Sequence, residues 1–343
     1  MRKNRKLKKK RWLEKRAIKI KNKWYYKKKK YHVNTCLDLE EGEKLNRDHA
    51  YLARLPEIFS FVKNPKETIS FLNKLVRRIE KKMLGQKFFI DASGVQEVTV
   101  DALIYIIAVI YNIKANRALK YSFEGNLPMA KAAREVFERS GYLNYFKMKR
   151  LKMPDCSKYV QIVSGRNVEN SVAAKICDFV NEKYGSDRQF TKILYSTLIE
   201  LMSNTAKHAY NEYCKMARYW YLYAIYDNNK INIAFIDTGE GIPNTVKKKF
   251  IEKINPTVED SSLIYAALTE SGRSETGLSY RGRGLPQICK HVMDKEMKDF
   301  FVISGSGSCR YNEETQNLER ITYNESIFGT IFRFSIWMEG EKC

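Results

Sequence analysis

The stretch Ile231-Asn-Ile-Ala-Phe-Ile-Asp237-Thr-Gly239-Glu-Gly241-Ile-Pro243 decides how the second half of this chain is read. Ile231 to Ile236 is a β-rich run, and it passes without a break into an acid followed by two glycines. Ala217 to Ile225 is a second such run, joined to the first by Asp227-Asn-Asn-Lys230, favourable chemistry for a hairpin turn. Glycines at 239 and 241 let the backbone turn sharply and come close to a flat ligand, while Asp237 at the strand end can accept a hydrogen bond from an exocyclic amine. D-x-G-x-G alone also suits ordinary turns and calcium loops, so the neighbouring segments carry the decision.

Upstream, Thr191 to Tyr210 has the period of one helix, with Ile193, Leu194, Leu198, Leu201 and Met202 on its buried side. Glu200, Asn204 and His208 follow at four-residue spacing and project along one line. Alone, such a stripe reads as a solvated helix face. Downstream, the polar stretch Ser271-Gly-Arg-Ser-Glu-Thr-Gly277 leads to Arg281-Gly282-Arg283-Gly284-Leu-Pro-Gln-Ile288 and an apolar helix through Val292. Glycines ahead of a helix N-terminus present free N–H groups to an anion, and Arg281 and Arg283 add charge-assisted contacts, so a phosphate cradle is expected here. Gly329-Thr330 opens a last strand, Ile331 to Trp337.

The order E-x-x-x-N-x-x-x-H-A-Y, D-x-G-x-G-I-P, G-x-G-L-P and a final G-T resembles the GHKL superfamily of gyrase, MutL, chaperone and histidine-kinase ATP-binding domains. Asn204-Thr-Ala-Lys-His208-Ala-Tyr210 is most similar to the helix motif of the anti-sigma-factor serine kinases. The resemblance covers 160–340 and implies a Bergerat ATP-binding fold. It also implies roles: Asn204 as the Mg²⁺ ligand, Glu200 as general base, and Asp237 on the adenine amine with Gly239 and Gly241 shaping the base pocket. Gly282 and Gly284, with a lid over 271–283, would close on the triphosphate, His208 would contact phosphate, and Thr330 would lie behind the adenine. Two positions depart from the family's G-x-G-L-G-L box: Tyr280 stands at the first glycine and Arg283 at the first leucine.

Residues 54–148 carry alternating strand and helix signals. Phe88-Phe89-Ile90 and Tyr121 to Phe123 read as strands, Val100 to Ile113 as an apolar helix opened by Asp101, and Leu127-Pro128 starts a helix running to about Phe146. Helices of this length between strands imply crossover connections. Asp91-Ala-Ser-Gly-Val95, with Asp101-Ala-Leu after it, resembles a STAS domain. Asp101 then stands where anti-anti-sigma members have a phosphate-accepting serine, which implies a docking or structural module. Between the two regions, Tyr159 to Val163 reads as a strand and Val172 to Glu182 as a helix. The fold class expected is α/β, an α+β two-layer sandwich of Bergerat type preceded by a STAS-like domain.

Residues 1–31 carry seventeen Lys or Arg against one acid, Glu14, and so hold most of a net charge of +23. Trp12, Trp24, Tyr25, Tyr26 and Tyr31 are interleaved with them, so this stretch is expected to be a disordered tail that solubilises the chain or touches nucleic acid. Seven widely spaced cysteines without a C-x-x-C pair suit reduced thiols and a cytoplasmic location, not a zinc site. No apolar run approaches the length of a membrane span. The function expected is a Mg²⁺-dependent ATPase switch in intracellular signalling or defence, acting on a protein partner. A serine/threonine kinase of the anti-sigma type and a nucleic-acid-binding protein working through 1–31 are the alternatives. Dimerisation is common in the resembled family, so a homodimer is among the expected partners.

Overall fold

A computed structural model describes residues 50–80, 87–116, 122–145, 159–185, 187–208, 219–227, 229–249, 257–269 and 284–337. The basic stretch 1–31, the lid over 271–283 and Arg281, Gly282 and Arg283 lie outside the described residues. The described residues form a mixed α/β structure belonging to a single compact unit, Arg47–Cys343.

The N-terminal part holds strands β1 (Tyr51–Arg54), β2 (Ile58–Phe59), β3 (Lys87–Asp91), β4 (Glu97–Val98) and β5 (Ser122–Gly125). Its helices are α1 (Pro65–Glu80), α2 (Val100–Asn116), α3 (Lys131–Arg139) and α4 (Tyr142–Tyr145). β1, β3 and β5 form a parallel sheet in that order, and β2 pairs with β4, so α1 and α2 lie in the crossover connections expected. α1 has Pro65 at its start, Glu67 in its first turn and Arg77 and Arg78 in its last, which suits the helix dipole. The helix read as continuous from Leu127 to Phe146 is two. The α3 carbonyls are closed by the Ser140 backbone N–H on Val136, while the Ser140 hydroxyl donates to the Phe137 carbonyl and accepts from the Tyr142 N–H.

The C-terminal part holds β6 (Tyr159–Gly165), α5 (Asn170–Tyr184), α6 (Arg188–His208), β7 (Trp220–Asp227), β8 (Lys230–Asp237), α7 (Gly241–Lys249) and α8 (Asp260–Leu268). It ends with α9 (Gly284–Met293), β9 (Lys298–Asn312) and β10 (Asn317–Trp337). The strands make one antiparallel five-stranded sheet in the order β6-β7-β8-β10-β9. The expected β7–β8 hairpin is present, with Asn229 in the left-handed conformation its turn demands. α6 begins three residues before the expected Thr191 because the Asp187 carboxylate caps it, accepting the N–H groups of Gln189 and Phe190. The strand expected from Ala217 starts at Trp220. The final strand is longer than Ile331 to Trp337 and pairs with β9, a strand the sequence reading passed over.

Side chains alternate across the large sheet, and both faces are buried in its central part, away from the exposed first residues of β10. Trp220, Leu222, Ile233, Phe235, Phe332 and Phe334 point to one core with α5, α6 and α9, whereas Tyr221, Tyr223, Ala234, Ile236, Ile303 and Ile331 point to the other. That second core is shared with the N-terminal part, whose α2 lies against β7, β8 and β10. α2 is apolar all round because it is covered all round: every residue from Asp101 to Ile110 is buried. Each fully buried Ile or Val there contributes about 1.5–3 kcal/mol relative to exposure. Asp101, expected at the opening of α2, is its second residue and is buried, with Oδ1 3.8 Å from Arg333 Nη1 of β10.

Candidate functional site

β8 delivers Asp237 to its end with the side chain buried, where β10 returns antiparallel and sets Thr330 directly opposite. The carboxylate accepts the Gly239 N–H at 2.8 Å and a hydrogen bond from the Thr330 hydroxyl. Burial pushes Asp237 up to about 7, and those two hydrogen bonds oppose the rise without cancelling it. A buried carboxylate that titrates near neutrality and has acceptor capacity to spare suits a ligand that brings N–H donors.

The turn that follows is held by a residue the sequence reading missed. Ser304 of β9, fully buried, donates to the Gly329 carbonyl at 2.7 Å, accepts the Ile242 N–H at 2.9 Å and lies 3.1 Å from Thr330 Oγ1. One hydroxyl therefore ties the D-x-G-x-G turn to the G-T step. Gly241 needs its lack of a side chain here, since a Cβ would come within 2.6 Å of Ser304 Oγ and 2.9 Å of the Gly329 carbonyl oxygen. Gly329 is more constrained still: its φ is +73°, and a Cβ would overlap the Asp237 carbonyl. In the sequence Ser304 is the first of three serines alternating with glycine after the apolar run Phe300 to Ile303, and nothing local singles it out from the other two.

α7 and α8 flank this turn and were not foreseen. Lys247 of α7 reaches Asp260 of α8 at 2.7 Å, and Asp260 also accepts the N–H and hydroxyl of Ser306 at 3.0 and 2.9 Å. Burial would raise Asp260, but the Lys247 and Ser306 hydrogen bonds outweigh it and leave the carboxyl below its ordinary range.

A second group of expected residues meets where α6 packs on α9. Gly284, first in α9, faces Glu200 so closely that a Cβ would overlap its carboxylate. Asn204 lies one turn beyond Glu200, and its Nδ2 is buried with no hydrogen-bond partner among the described residues. An orphaned buried amide costs about 1–3 kcal/mol, so its retention suits a ligand that completes it, and either end of an amide can face that ligand. His208 closes α6, and its side chain lies outside the described residues.

The structure thus joins Asp237 with Gly239 and Thr330, ties Ile242, next to Gly241, to Gly329 through Ser304, and brings Glu200 against Gly284. Among the described residues no three His, Cys, Asp or Glu side chains gather as a metal cluster. None of their helices is long and apolar enough to cross a membrane. Cys177, Cys289 and Cys309 are buried thiols that are not paired in disulfides, each raised by burial. The chain matches no protein-family model, and no curated protein matches it.

Proposed function

We propose that residues 160–340 form a GHKL-type ATP-binding domain of Bergerat fold that binds ATP with Mg²⁺ and hydrolyses it as a switch. The observation that carries this reading is the pairing of Asp237 with Thr330 at the mouth of an antiparallel sheet, beside a glycine turn tied to both strands. Asp237 would take the adenine amine, beside the turn that Gly241 lets close onto Ser304 and Gly329.

The α6 stripe fits the other end of the nucleotide. The buried Asn204 Nδ2 wants an acceptor, which a phosphate oxygen would supply, and the oxygen of the same amide would complete the shell of a hard cation held mainly by phosphates and water. Mg²⁺ would supply charge neutralisation on the triphosphate. Glu200, one turn away and kept in place by the missing side chain at Gly284, would orient the attacking water and take its proton. In the same reading the N-terminal part is a STAS-like structural module. Asp101 in place of serine offers no hydroxyl for phosphoryl transfer, and it is buried.

Calorimetric titration with a non-hydrolysable ATP analogue and Mg²⁺ tests the proposal. Saturable binding, lost in Asp237→Ala and made indifferent to Mg²⁺ in Asn204→Ala, supports it; no heat with the unaltered protein removes it. γ-labelled ATP then separates hydrolysis, which releases labelled phosphate, from protein kinase activity, which leaves the label on protein.

A further inference from the structure

β10 does not run smoothly into Thr330. Its register against β9 passes from Ile327 opposite Gly305 straight to Thr330 opposite Ser304, so Phe328 and Gly329 are two extra residues bulged out of the ladder. The ladder with β8 starts only at Thr330 and Asp237, which leaves the Phe328 backbone outside both ladders. Partly buried backbone groups removed from a ladder are expected to take other partners.

Those partners come from the N-terminal part. The Tyr105 hydroxyl, on α2, accepts the Phe328 N–H at 2.8 Å and donates to the Phe328 carbonyl at 3.0 Å. The ring is buried and packed edge-on against Phe61 at 5.4 Å between centroids. Burial raises this phenol well above its ordinary range, so it keeps the proton it donates at every ordinary pH. From the other side, Ser304 holds the Gly329 carbonyl. The bulge that aims Thr330 at Asp237 is therefore fixed by two hydroxyls, one of them from a region outside the proposed ATP-binding domain.

A second contact between the two parts lies a few residues earlier on β10. Asn73 of α1 donates to the Glu325 carboxylate at 2.8 Å and to the Ser326 carbonyl at 3.1 Å. It joins the same pair of regions without touching Phe328, Gly329 or Thr330, and so provides an internal comparison.

We propose that Tyr105 is a positioning residue of the nucleotide site, and that through it the N-terminal α/β part is an integral wall of the base-binding end. This rests on the ATP-binding reading. By replacing the ladder bonds Phe328 has lost, Tyr105 sets the Gly329 kink and with it the placing of the Thr330 hydroxyl against Asp237. It acts on recognition of the base and not on the phosphates, which the reading assigns to the other end of the site. Any partner that shifts α2 would change base affinity by the same route, and nucleotide would change that partner's affinity by an equal factor.

The test compares Tyr105→Phe with Asn73→Ala in the full chain, measuring affinity for non-hydrolysable ATP and GTP analogues and amide hydrogen exchange. Tyr105→Phe is expected to lose about tenfold in ATP-analogue affinity, the effect of about one hydrogen bond's worth of misplacement. The GTP analogue should lose under twofold, so the ratio of the two affinities falls. Exchange should quicken at 328–331 and not at the centres of β7 and β8. Asn73→Ala should loosen the interface yet keep the ATP-to-GTP ratio, which a purely structural role for Tyr105 would also do. An unchanged ratio in Tyr105→Phe, or an equal fall in Asn73→Ala, overturns the proposal while leaving ATP binding standing. Failure of the unaltered protein to bind the ATP analogue overturns both.

Discussion

Gly284 and Glu200 occupy one another's space: the first residue of α9 comes so near the α6 carboxylate that no side chain fits between them. A methyl at 284 would overlap the Glu200 side chain from Cγ outward, so that side chain would have to leave its place as a whole. Gly284→Ala should therefore cost about 1–3 kcal/mol of stability. It should cut ATP turnover by about a hundredfold, because the carboxylate leaves the place where it acts as base. Thermal melts beside phosphate-release assays check this, and undiminished turnover would remove Glu200 from the mechanism.

Asn204 presents the opposite balance. Its Nδ2 is buried without a partner among the described residues, so removing the amide relieves an unmet desolvation cost and offsets the packing lost. Asn204→Ala should leave the ligand-free protein as stable as the parent, or up to about 1 kcal/mol more so. Its binding of the ATP analogue should no longer respond to Mg²⁺. Urea unfolding and titrations with and without the metal give the two halves of the answer. A loss of several kcal/mol without ligand would mean that Asn204 is structural.

These residues were legible because their constraints are local. A four-residue spacing on one helix and glycines beside an acid at a strand end are written in consecutive positions. What sequence reading missed depends on distant pairings. The middle of β9 is Ser304-Gly-Ser-Gly-Ser-Cys309, which carries loop chemistry in its own sequence and becomes strand only because β10 lies beside it. α7 and α8 are helices of nine residues each, too short to declare themselves by period. Ser304 and Tyr105 gain their roles from a bulge that no local pattern marks. Val100 to Ile113 read as an apolar helix, but nothing in its own residues indicated that the large sheet would cover it.

Asp260 offers a stability prediction with a definite sign. Hydrogen bonds from Lys247 and Ser306 hold its folded pKa below the unfolded value, against the pull of burial. The stabilisation is therefore fully present above about pH 4 and is lost as pH falls through the lower folded value. Asp260→Asn should cost about 1–3 kcal/mol at pH 7, since charge-assisted bonds are broken and the ammonium of Lys247 is left partly buried. Parent and variant should draw together in acid. Urea midpoints at pH 7 and pH 3 measure this, and a constant gap would assign the loss to packing.

Asp237 should behave in the reverse sense. Its folded pKa, about 7, stands above the ordinary carboxyl value of 3.8, so its contribution favours folding below the unfolded pKa and is lost as pH rises through about 7. Ionising this buried carboxyl in the ligand-free protein at pH 8 costs of order 4 kcal/mol, since each tenfold change in its proton affinity on folding is worth about 1.4 kcal/mol. Asp237→Asn should therefore stabilise the ligand-free protein at pH 8 and flatten its stability between pH 5 and 8. A base amine that donates to the carboxylate favours the ionised form, so ATP-analogue affinity should fall about tenfold for each step of one in pH below about 7. Binding at pH 6 should release close to one proton from this group. Titrations in buffers of different ionisation enthalpy count that proton, with Asp237→Asn subtracting what the phosphates contribute. Equal proton release by parent and variant would show that Asp237 does not receive the base.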